Sequence, residues 1–324
     1  MNSPLKLIFY GTPEFAVPSL EMLLKNHFNI QAVVTAPDKA AGRGLKVQSS
    51  AVKEFAEKHN LKVLQPLNLN DEMFLDTLKS FSPDLQIVVA FRKMPEKVWN
   101  LPKFGTFNLH ASLLPQYRGA APIHRAVMNG EKVTGVTTFF LEKEIDTGKI
   151  IFFEKISIYE NETTGELHDR LKIIGADLVL KTVREIEHGT IEAIPQNNLE
   201  TQGELLKTAP KIKKEDCRIN WNNSATEVFN LIRGLSPFPC AFTTLLKPNG
   251  EKINFKIFRT FPPEKENPDS IVNSILQSDS VSRIKIKCMD GWISLKEVQL
   301  EGKKRLNVEE FLRGNRITNE WKVE

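Results

Sequence analysis

Short apolar runs rich in β-branched residues alternate with amphipathic helical segments through the first 126 residues. The runs that predict strands are LKLIFY (5–10), QAVVTA (31–36), DLQIVVAF (84–91) and TFNLHA (106–111). The segments with helical periodicity include VKEFAEKHN (52–60) and DEMFLDTLKSF (71–81). Because strands that alternate with helices build parallel sheets with crossover connections, this part predicts an α/β domain with a doubly wound, mostly parallel, Rossmann-like sheet.

The first domain is predicted to end near residue 189. TGVTTFFLE (134–142) and KIIFFEKISIY (149–159) are spaced to pair as neighbouring strands. A helix is predicted from 164 to 188, with Thr163 and Glu166 as a capping box and Gly189 as its stop. We therefore assign residues 1–189 to a first, catalytic domain.

The remainder of the chain has a different pattern. Residues 190–209 lack sustained periodicity and predict a linker, whereas 210–324 contain short alternating strands. In RIKIKC (283–288) the apolar residues Ile284, Ile286 and Cys288 face one side and the basic residues the other. This pattern predicts a small β-barrel that resembles an oligonucleotide-binding (OB) fold.

Composition and local sequence argue against a membrane, secreted, disulfide-bonded or zinc-binding protein. A length of 324 residues suits two domains, and 41% hydrophobic residues suit a soluble globular protein. The apolar run near the N-terminus is broken by Gly11 and Pro13, so neither a signal peptide nor a membrane span is expected. Three distant cysteines argue against disulfides and zinc. We expect a cytoplasmic protein with no metal and no membrane partner, and a monomer because no heptad run occurs.

Charge is unevenly divided along the chain. Residues 1–204 carry 23 Lys and Arg against 25 Asp and Glu, whereas residues 205–324 carry 21 against 15. The basic excess of the C-terminal part suits a polyanionic partner, although ordinary solubilising charge explains it equally well.

Asn108 and His110 are the first candidates for chemistry. They are two residues apart on a predicted strand, so their side chains share one face, and a Ser-, Pro- and Gly-containing loop follows. Ligands of doubly wound sheets bind at such strand ends. A histidine near a strand is more often a core residue, so this spacing alone leaves both interpretations open.

Asp146 is the third candidate. It follows the predicted strand 134–142 and precedes Thr147 and Gly148, which places it in a tight turn at a strand end. On local pattern alone, a turn-forming aspartate explains it better than a catalytic one.

A family resemblance changes both interpretations. NLHASLLPQYRGAAPI (108–123) and EIDTGKI (144–150) resemble the Asn, His, SLLPxYRG and Asp-Thr-Gly motifs of the folate-dependent formyltransferase family. LIFYGTPEFAVPSL, TAPDKAAGRGLK, IRGLSPFPCAFT and LEGKKRLNVEEFLRG extend the resemblance over nearly the whole chain. Within the family, the match is to the enzymes that formylate the amino group of initiator methionyl-tRNA.

The resemblance implies roles for particular residues. Asn108, His110 and Asp146 are the implied catalytic residues, and Ser112, Leu113, Leu114 and Pro115 the implied binding site for 10-formyltetrahydrofolate, the co-substrate. Where many members have a YGLILP-like stretch, this chain has a segment from Phe91 to Pro95 that is one residue shorter.

Basic residues are the candidates for tRNA binding. The AGRG loop, which enters the acceptor stem in the resembling enzymes, is flanked by lysines, and further basic residues lie on one strand and in one turn of the second domain. The predicted tRNA-binding residues are Lys39, Arg43, Lys46, Arg283, Lys285, Lys287, Lys303, Lys304 and Arg305.

Three alternatives stay open on sequence alone. A nucleotide-amino-sugar formyltransferase can share both domains but is expected to lack the AGRG loop. A formyltetrahydrofolate hydrolase uses a similar triad and predicts turnover without an acceptor. A non-enzymatic RNA-binding module suits the basic barrel but leaves Asn108, His110 and Asp146 without a purpose.

Overall fold

A computed structural model describes residues 4–41, 46–199, 205–265 and 275–324. The chain divides into two compact units, and each unit is made of three stretches that are separated in sequence. The first unit comprises Met1–Gly119, Thr134–Ile156 and His168–Thr208, and the second comprises Ala120–Val133, Ser157–Leu167 and Ala209–Glu324. The predicted boundaries at residues 189 and 210 stay a prediction. Among the described residues, no helix combines the length and apolarity needed to cross a membrane.

The first unit is built on a seven-stranded sheet. The strands of residues 6–157 in chain order are β1 (Lys6–Gly11), β2 (Asn29–Val34), the antiparallel pair β3 (Lys39–Ala41) and β4 (Lys46–Gln48), β5 (Val63–Leu64), β6 (Leu85–Val89), β7 (Thr106–His110), the short β8 (Arg118–Gly119), β9 (Val133–Phe140) and β10 (Ile150–Ser157). Of these, β3, β4 and β8 lie outside the seven-stranded sheet. Sheet order is β10-β9-β7-β6-β1-β2-β5. β1, β2, β5, β6 and β7 run parallel, whereas β9 is antiparallel to β7. The predicted mostly parallel sheet is confirmed.

Helices form in the predicted segments 52–60, 71–81 and 164–188 and in other segments between residues 17 and 128. They are α1 (Val17–Lys25), α2 (Ala51–Lys58), α3 (Glu72–Ser80), α4 (Glu96–Trp99), α5 (Pro122–Met128) and α6 (Thr164–His188). The predicted capping box of α6 forms, since the Thr163 backbone donates to Glu166 (2.9 Å) and the Glu166 backbone to the Thr163 hydroxyl (3.3 Å). Gly189 follows with φ +72°, as a helix stop requires.

The second unit contains a barrel-like antiparallel sheet and a helix packed against it. After β11 (Thr208–Ala209) come α7 (Ala225–Leu235), β12 (Ala241–Leu246), β13 (Lys252–Thr260), β14 (Glu264–Lys265), β15 (Leu276–Ser278), β16 (Ile284–Lys287), β17 (Gly291–Leu300), β18 (Leu306–Asn307), α8 (Val308–Gly314) and β19 (Lys322–Val323). Strand order is β15-β16-β17-β13-β12-β19. Ile284, Ile286 and Cys288 are buried together with Val228 and Ile232 of α7. The alternation predicted for 283–288 is confirmed.

Tyr10, in the middle of the sheet, is buried without a partner for its hydroxyl. It is fully buried, and its hydroxyl makes no hydrogen bond within the described part of the chain. Burial also raises the pKa of this phenol. Because an unpaired buried hydroxyl costs about 1–3 kcal/mol, we expect Tyr10→Phe to leave the free energy of unfolding unchanged or to raise it by ~1 kcal/mol. Urea denaturation measures this, and a loss above ~1 kcal/mol would show that the hydroxyl has a partner.

Candidate active site

Asn108 and His110 lie side by side at the carboxyl end of β7. The register of β7 with β6 and β9 fixes both on the same face of the strand. His110 is buried, and its ring meets Phe139 edge to face at 6.5 Å. The Asn108 side chain is partly buried, and its amide makes no hydrogen bond to any other described residue. Its donors are therefore free for a ligand.

Asp146 approaches His110 from the turn between β9 and β10. Its carboxylate Oδ2 lies 3.8 Å from His110 Nδ1 and accepts a hydrogen bond from the Gly119 backbone at 2.9 Å. Its φ of +56° is the left-handed conformation that a tight turn can require and that aspartate tolerates better than most residues. The structure thus brings together two candidates that are 36 positions apart in sequence.

Hydrogen bonding determines the tautomer of His110. Its Nε2 lies 2.9 Å from the carbonyl oxygen of Tyr117, which can only accept, so Nε2 carries a proton and donates. In the neutral imidazole Nδ1 is then unprotonated, and it faces the Asp146 carboxylate. A proton that arrives at Nδ1 would therefore lie between the two side chains.

The loop predicted to bind folate is held by one threonine of β9. The Thr137 hydroxyl donates to the Ser112 carbonyl (2.7 Å) and accepts from the Leu114 backbone (3.2 Å). Ser112 itself donates to the Gln116 carbonyl. The Leu114 side chain packs against Phe139 in a small core cluster. The backbone of this loop is fixed, whereas the folate role of Ser112, Leu113, Leu114 and Pro115 stays a prediction.

Two residues that were not predicted support the Asp146 turn. The Gln196 side chain is buried, donates to the carbonyls of Asp146 and Gly148 (2.8 Å each), and accepts from Arg118. Arg118 also donates to the Asp146 carbonyl at 3.1 Å. Arg118 lies inside the YRG part of the motif, but Gln196 lies in the stretch predicted as a linker, where no sequence signal marks it.

A cavity lies at the carboxyl ends of β1, β2 and β6. It has a volume of about 620 Å³ and is lined by Thr12, Pro13, Ala36, Pro37, Asp38, Lys39, Leu67, Ala90 and Arg92. Arg92, from the segment that departs from the family pattern, donates to the carbonyls of Pro66 and Leu67. Arg92 thus joins its own loop to the loop that contains Pro66 and Leu67 at this edge of the sheet.

The predicted tRNA-binding residues lie in different surroundings. Lys39 is exposed on β3, whereas Arg43 and the side chain of Lys46 lie outside the described part of the chain. In the second unit Arg283, Lys303 and Lys304 are exposed and Lys287 is partly buried. Lys285 forms an ion pair with Glu264, and Arg305 pairs with Glu297 and lies over the Phe258 ring. All nine assignments stay predictions, and two of these cations already have acidic partners.

None of the three cysteines suits nucleophilic catalysis. All are free and buried. Burial raises the pKa of Cys240 and of Cys288 to about 12 and raises the pKa of Cys217, so the thiol form prevails in each at neutral pH.

Gly148 allows the Asp146 turn to lie against β9. A Cβ at this position would overlap the carbonyl oxygen of Phe140. We therefore expect Gly148→Ala to push the Asp146 turn away from β9 and to lower the free energy of unfolding by about 1–3 kcal/mol. Because catalytic groups tolerate little displacement, kcat should fall at least tenfold. Gly314→Ala is the control, since its Cβ would meet nothing within 4 Å. Wild-type kinetics in Gly148→Ala would contradict the placement of this turn.

The fold and the arrangement at the sheet edge suit the class of enzymes that transfer acyl groups, among them transferases that pass the group directly between two substrates. A side-chain amide, an imidazole and a carboxylate lie at the carboxyl edge of a doubly wound sheet.

Comparisons with known proteins agree with this class. The formyl transferase family matches residues 5–183, and the formyl transferase C-terminal domain matches residues 211–316. The chain is 48% identical over 321 residues to the methionyl-tRNA formyltransferase of Bacteroides thetaiotaomicron, with 98% of each chain covered. It is 49% identical over 314 residues to that of Azobacteroides pseudotrichonymphae, with 97% of each covered. The chain belongs to the methionyl-tRNA formyltransferase family.

This chain is also similar in fold to a solved structure. The N-formyltransferase of Helicobacter canadensis, in complex with folinic acid and dTDP-3-aminofucose, superposes with a TM-score of 0.63. It is 23% identical and covers 93% of this chain and 100% of its own. At this identity the likeness concerns the fold alone.

Proposed function

We propose that this chain transfers the formyl group of 10-formyltetrahydrofolate to the amino group of methionyl-initiator tRNA. The approach of Asp146 to His110, beside the free amide of Asn108, carries the proposal. Full-length likeness to methionyl-tRNA formyltransferases supports the acceptor, and a solved relative bound to folinic acid supports a folate as the formyl donor.

The chemistry requires that two charges be stabilised. The neutral amine attacks the formyl carbon and gives a tetrahedral intermediate with a negative oxygen and a positive nitrogen. Asn108 donates a hydrogen bond to that oxygen. The amine nitrogen loses its proton to the His110–Asp146 pair, and tetrahydrofolate leaves with its nitrogen protonated. The formyl group passes directly between the substrates, so the proposal needs no covalent enzyme intermediate.

His110 and Asp146 are arranged to share the proton that is released. With Nε2 occupied by the Tyr117 carbonyl, the imidazole can accept only at Nδ1, where the Asp146 carboxylate faces it. The Gly119 amide keeps one carboxylate oxygen in place. The same pair can return the proton to the leaving nitrogen, as general acid–base catalysis requires.

The transfer assay tests the proposal directly. Labelled formyl is supplied as 10-formyltetrahydrofolate together with charged initiator tRNA, with a nucleotide-linked amino sugar, or with no acceptor. Transfer to the charged tRNA alone is expected. Transfer to the amino sugar alone, or release of formate without an acceptor, would overturn the proposed acceptor while leaving the family assignment intact.

Exposed lysines of the second unit are proposed to contact phosphates. We expect Lys303→Ala combined with Lys304→Ala to reduce the slope of log affinity against log salt for tRNA by about 1–2, because each lost phosphate contact removes about one unit. Lys247→Ala is the matched control, since that lysine is paired with Glu251 and is not among the predicted tRNA-binding residues. Equal slopes in the double variant and the control would contradict the proposed contacts.

A further inference from the structure

Gln196 reaches the active site from the segment that follows α6. Reciprocal backbone hydrogen bonds of 2.8 Å join Ile194 to Ile150, so the chain runs antiparallel to the beginning of β10. A short 3₁₀ helix, Gln196–Leu199, begins two residues later. Its first side chain is 3% exposed, whereas Asn197 beside it is exposed.

The Gln196 amide joins the turn that holds Asp146 to the Arg118 side chain. Nε2 donates to the carbonyls of Asp146 and Gly148, each at 2.8 Å. Oε1 accepts from Arg118 Nε at 3.0 Å and from Nη2 at 2.7 Å. A primary amide has two N–H donors and one carbonyl, and all of them are engaged here. No other hydrogen-bonding group of that size would satisfy both ends at once.

The turn needs support because its conformation is unfavourable. Asp146 has φ +56°, a region that L residues adopt at a cost in free energy. Its carbonyl receives hydrogen bonds from both Gln196 and Arg118, and its carboxylate receives one from Gly119. The backbone contacts fix the direction of the Cα–Cβ bond, and the Gly119 contact fixes the carboxylate.

We propose that Gln196, together with Arg118, is a positioning residue that holds the Asp146 turn so that its carboxylate faces His110 Nδ1. The inference rests on the proposed function for its catalytic consequence, but the positioning itself is a property of the fold. The hydrogen bonds of the Gln196 side chain go to the turn and to Arg118, so the residue acts on His110 through the turn. The segment after α6, predicted as a linker, is therefore part of the active site.

Two substitutions distinguish the contribution of the Gln196 N–H donors from that of its carbonyl oxygen. Gln196→Met keeps the length and burial of the side chain but removes every hydrogen bond. Gln196→Glu keeps an acceptor for Arg118 but places a second oxygen against the Asp146 and Gly148 carbonyls. Asn197→Ala is the matched control in the same 3₁₀ helix, where the side chain is exposed.

Kinetics give the first readout. Both Gln196 variants are expected to lose at least tenfold in kcat for formylation of charged initiator tRNA, with KM for 10-formyltetrahydrofolate changed less than twofold, because the misplaced group acts only after binding. In an Asp146→Asn background, Gln196→Met is expected to cost less than twofold more. Multiplicative losses, or wild-type kcat in either folded variant, would overturn the proposal.

Hydrogen exchange at the Gly119 amide gives a readout that needs no substrate. Because this amide donates to the Asp146 carboxylate, its protection is expected to fall at least tenfold in Gln196→Met and to be unchanged in Asn197→Ala. Unchanged protection in Gln196→Met would overturn the positioning role, and failure of both Gln196 variants to fold would assign the residue to stability instead. If the wild type does not formylate charged tRNA, the proposed function fails, and the Gly119 result still decides the role of Gln196.

Discussion

Asn108→Ala should lower kcat for formyl transfer by about a hundred- to a thousandfold, the usual cost of losing one oxyanion donor. The side-chain amide lies at the carboxyl end of β7 and is not engaged by any other described residue, so its donors remain available to the substrate. The loss should appear in kcat rather than in KM, because negative charge develops on the formyl oxygen only in the transition state.

Steady-state kinetics with saturating charged initiator tRNA measure this change. Asn100→Ala, an exposed asparagine at the end of α4, is the control and should retain wild-type kcat. A loss of less than about tenfold in Asn108→Ala would show that another group stabilises the oxyanion. A loss confined to KM would make Asn108 a binding residue only.

Local periodicity was sufficient to predict most of the first unit. The run LKLIFY is apolar apart from Lys6, and β1 is buried on both faces from Leu7 onward between neighbouring parallel strands. A period of two also places Asn108 and His110 on one face of β7, which follows from strand geometry alone. These features depend on residues close in sequence, and that is why they can be predicted.

The contacts that complete the site depend on residues far apart in sequence. Gln196 lies 50 positions from Asp146 and 78 from Arg118, and no periodicity marks it. The His110 tautomer likewise depends on a backbone carbonyl, which carries no sequence signal. Such contacts are set by how the loops fold back on the sheet, and a single sequence does not specify that path.

The ion pairs of the basic residues could not be predicted from the sequence either. The basic face of 283–288 is present as expected, but Lys285 is paired with Glu264, and Arg305 with Glu297. Counting cations along the chain does not show which of them have acidic neighbours on adjacent strands. An exposed lysine such as Lys303 is therefore a better candidate for a phosphate contact than a paired one.

Asp146→Asn should lower kcat by about a hundred- to ten-thousandfold, the range attributed to general acid–base catalysis. The Gly119 backbone donates to Oδ2, the same oxygen that faces His110 Nδ1, so in the variant the amide oxygen takes that position and the turn should persist. However, this oxygen is neutral, so it neither takes up a proton nor stabilises the positive charge that His110 gains when Nδ1 accepts one. The variant should fold with near wild-type stability and yet transfer the proton from the amine poorly.

The pH dependence of kcat in Asp146→Asn distinguishes a role of Asp146 in proton transfer from a role in orienting the imidazole alone. The activity of Asp146→Asn should stay low at every pH at which the wild type is active, because raising the pH does not restore a negative charge beside His110 Nδ1. Glu144→Gln is the matched control, an exposed carboxylate two residues earlier in the same turn, and should behave as wild type. Recovery of most of the wild-type kcat in Asp146→Asn at high pH would instead mean that solvent removes the proton and that Asp146 only orients the imidazole.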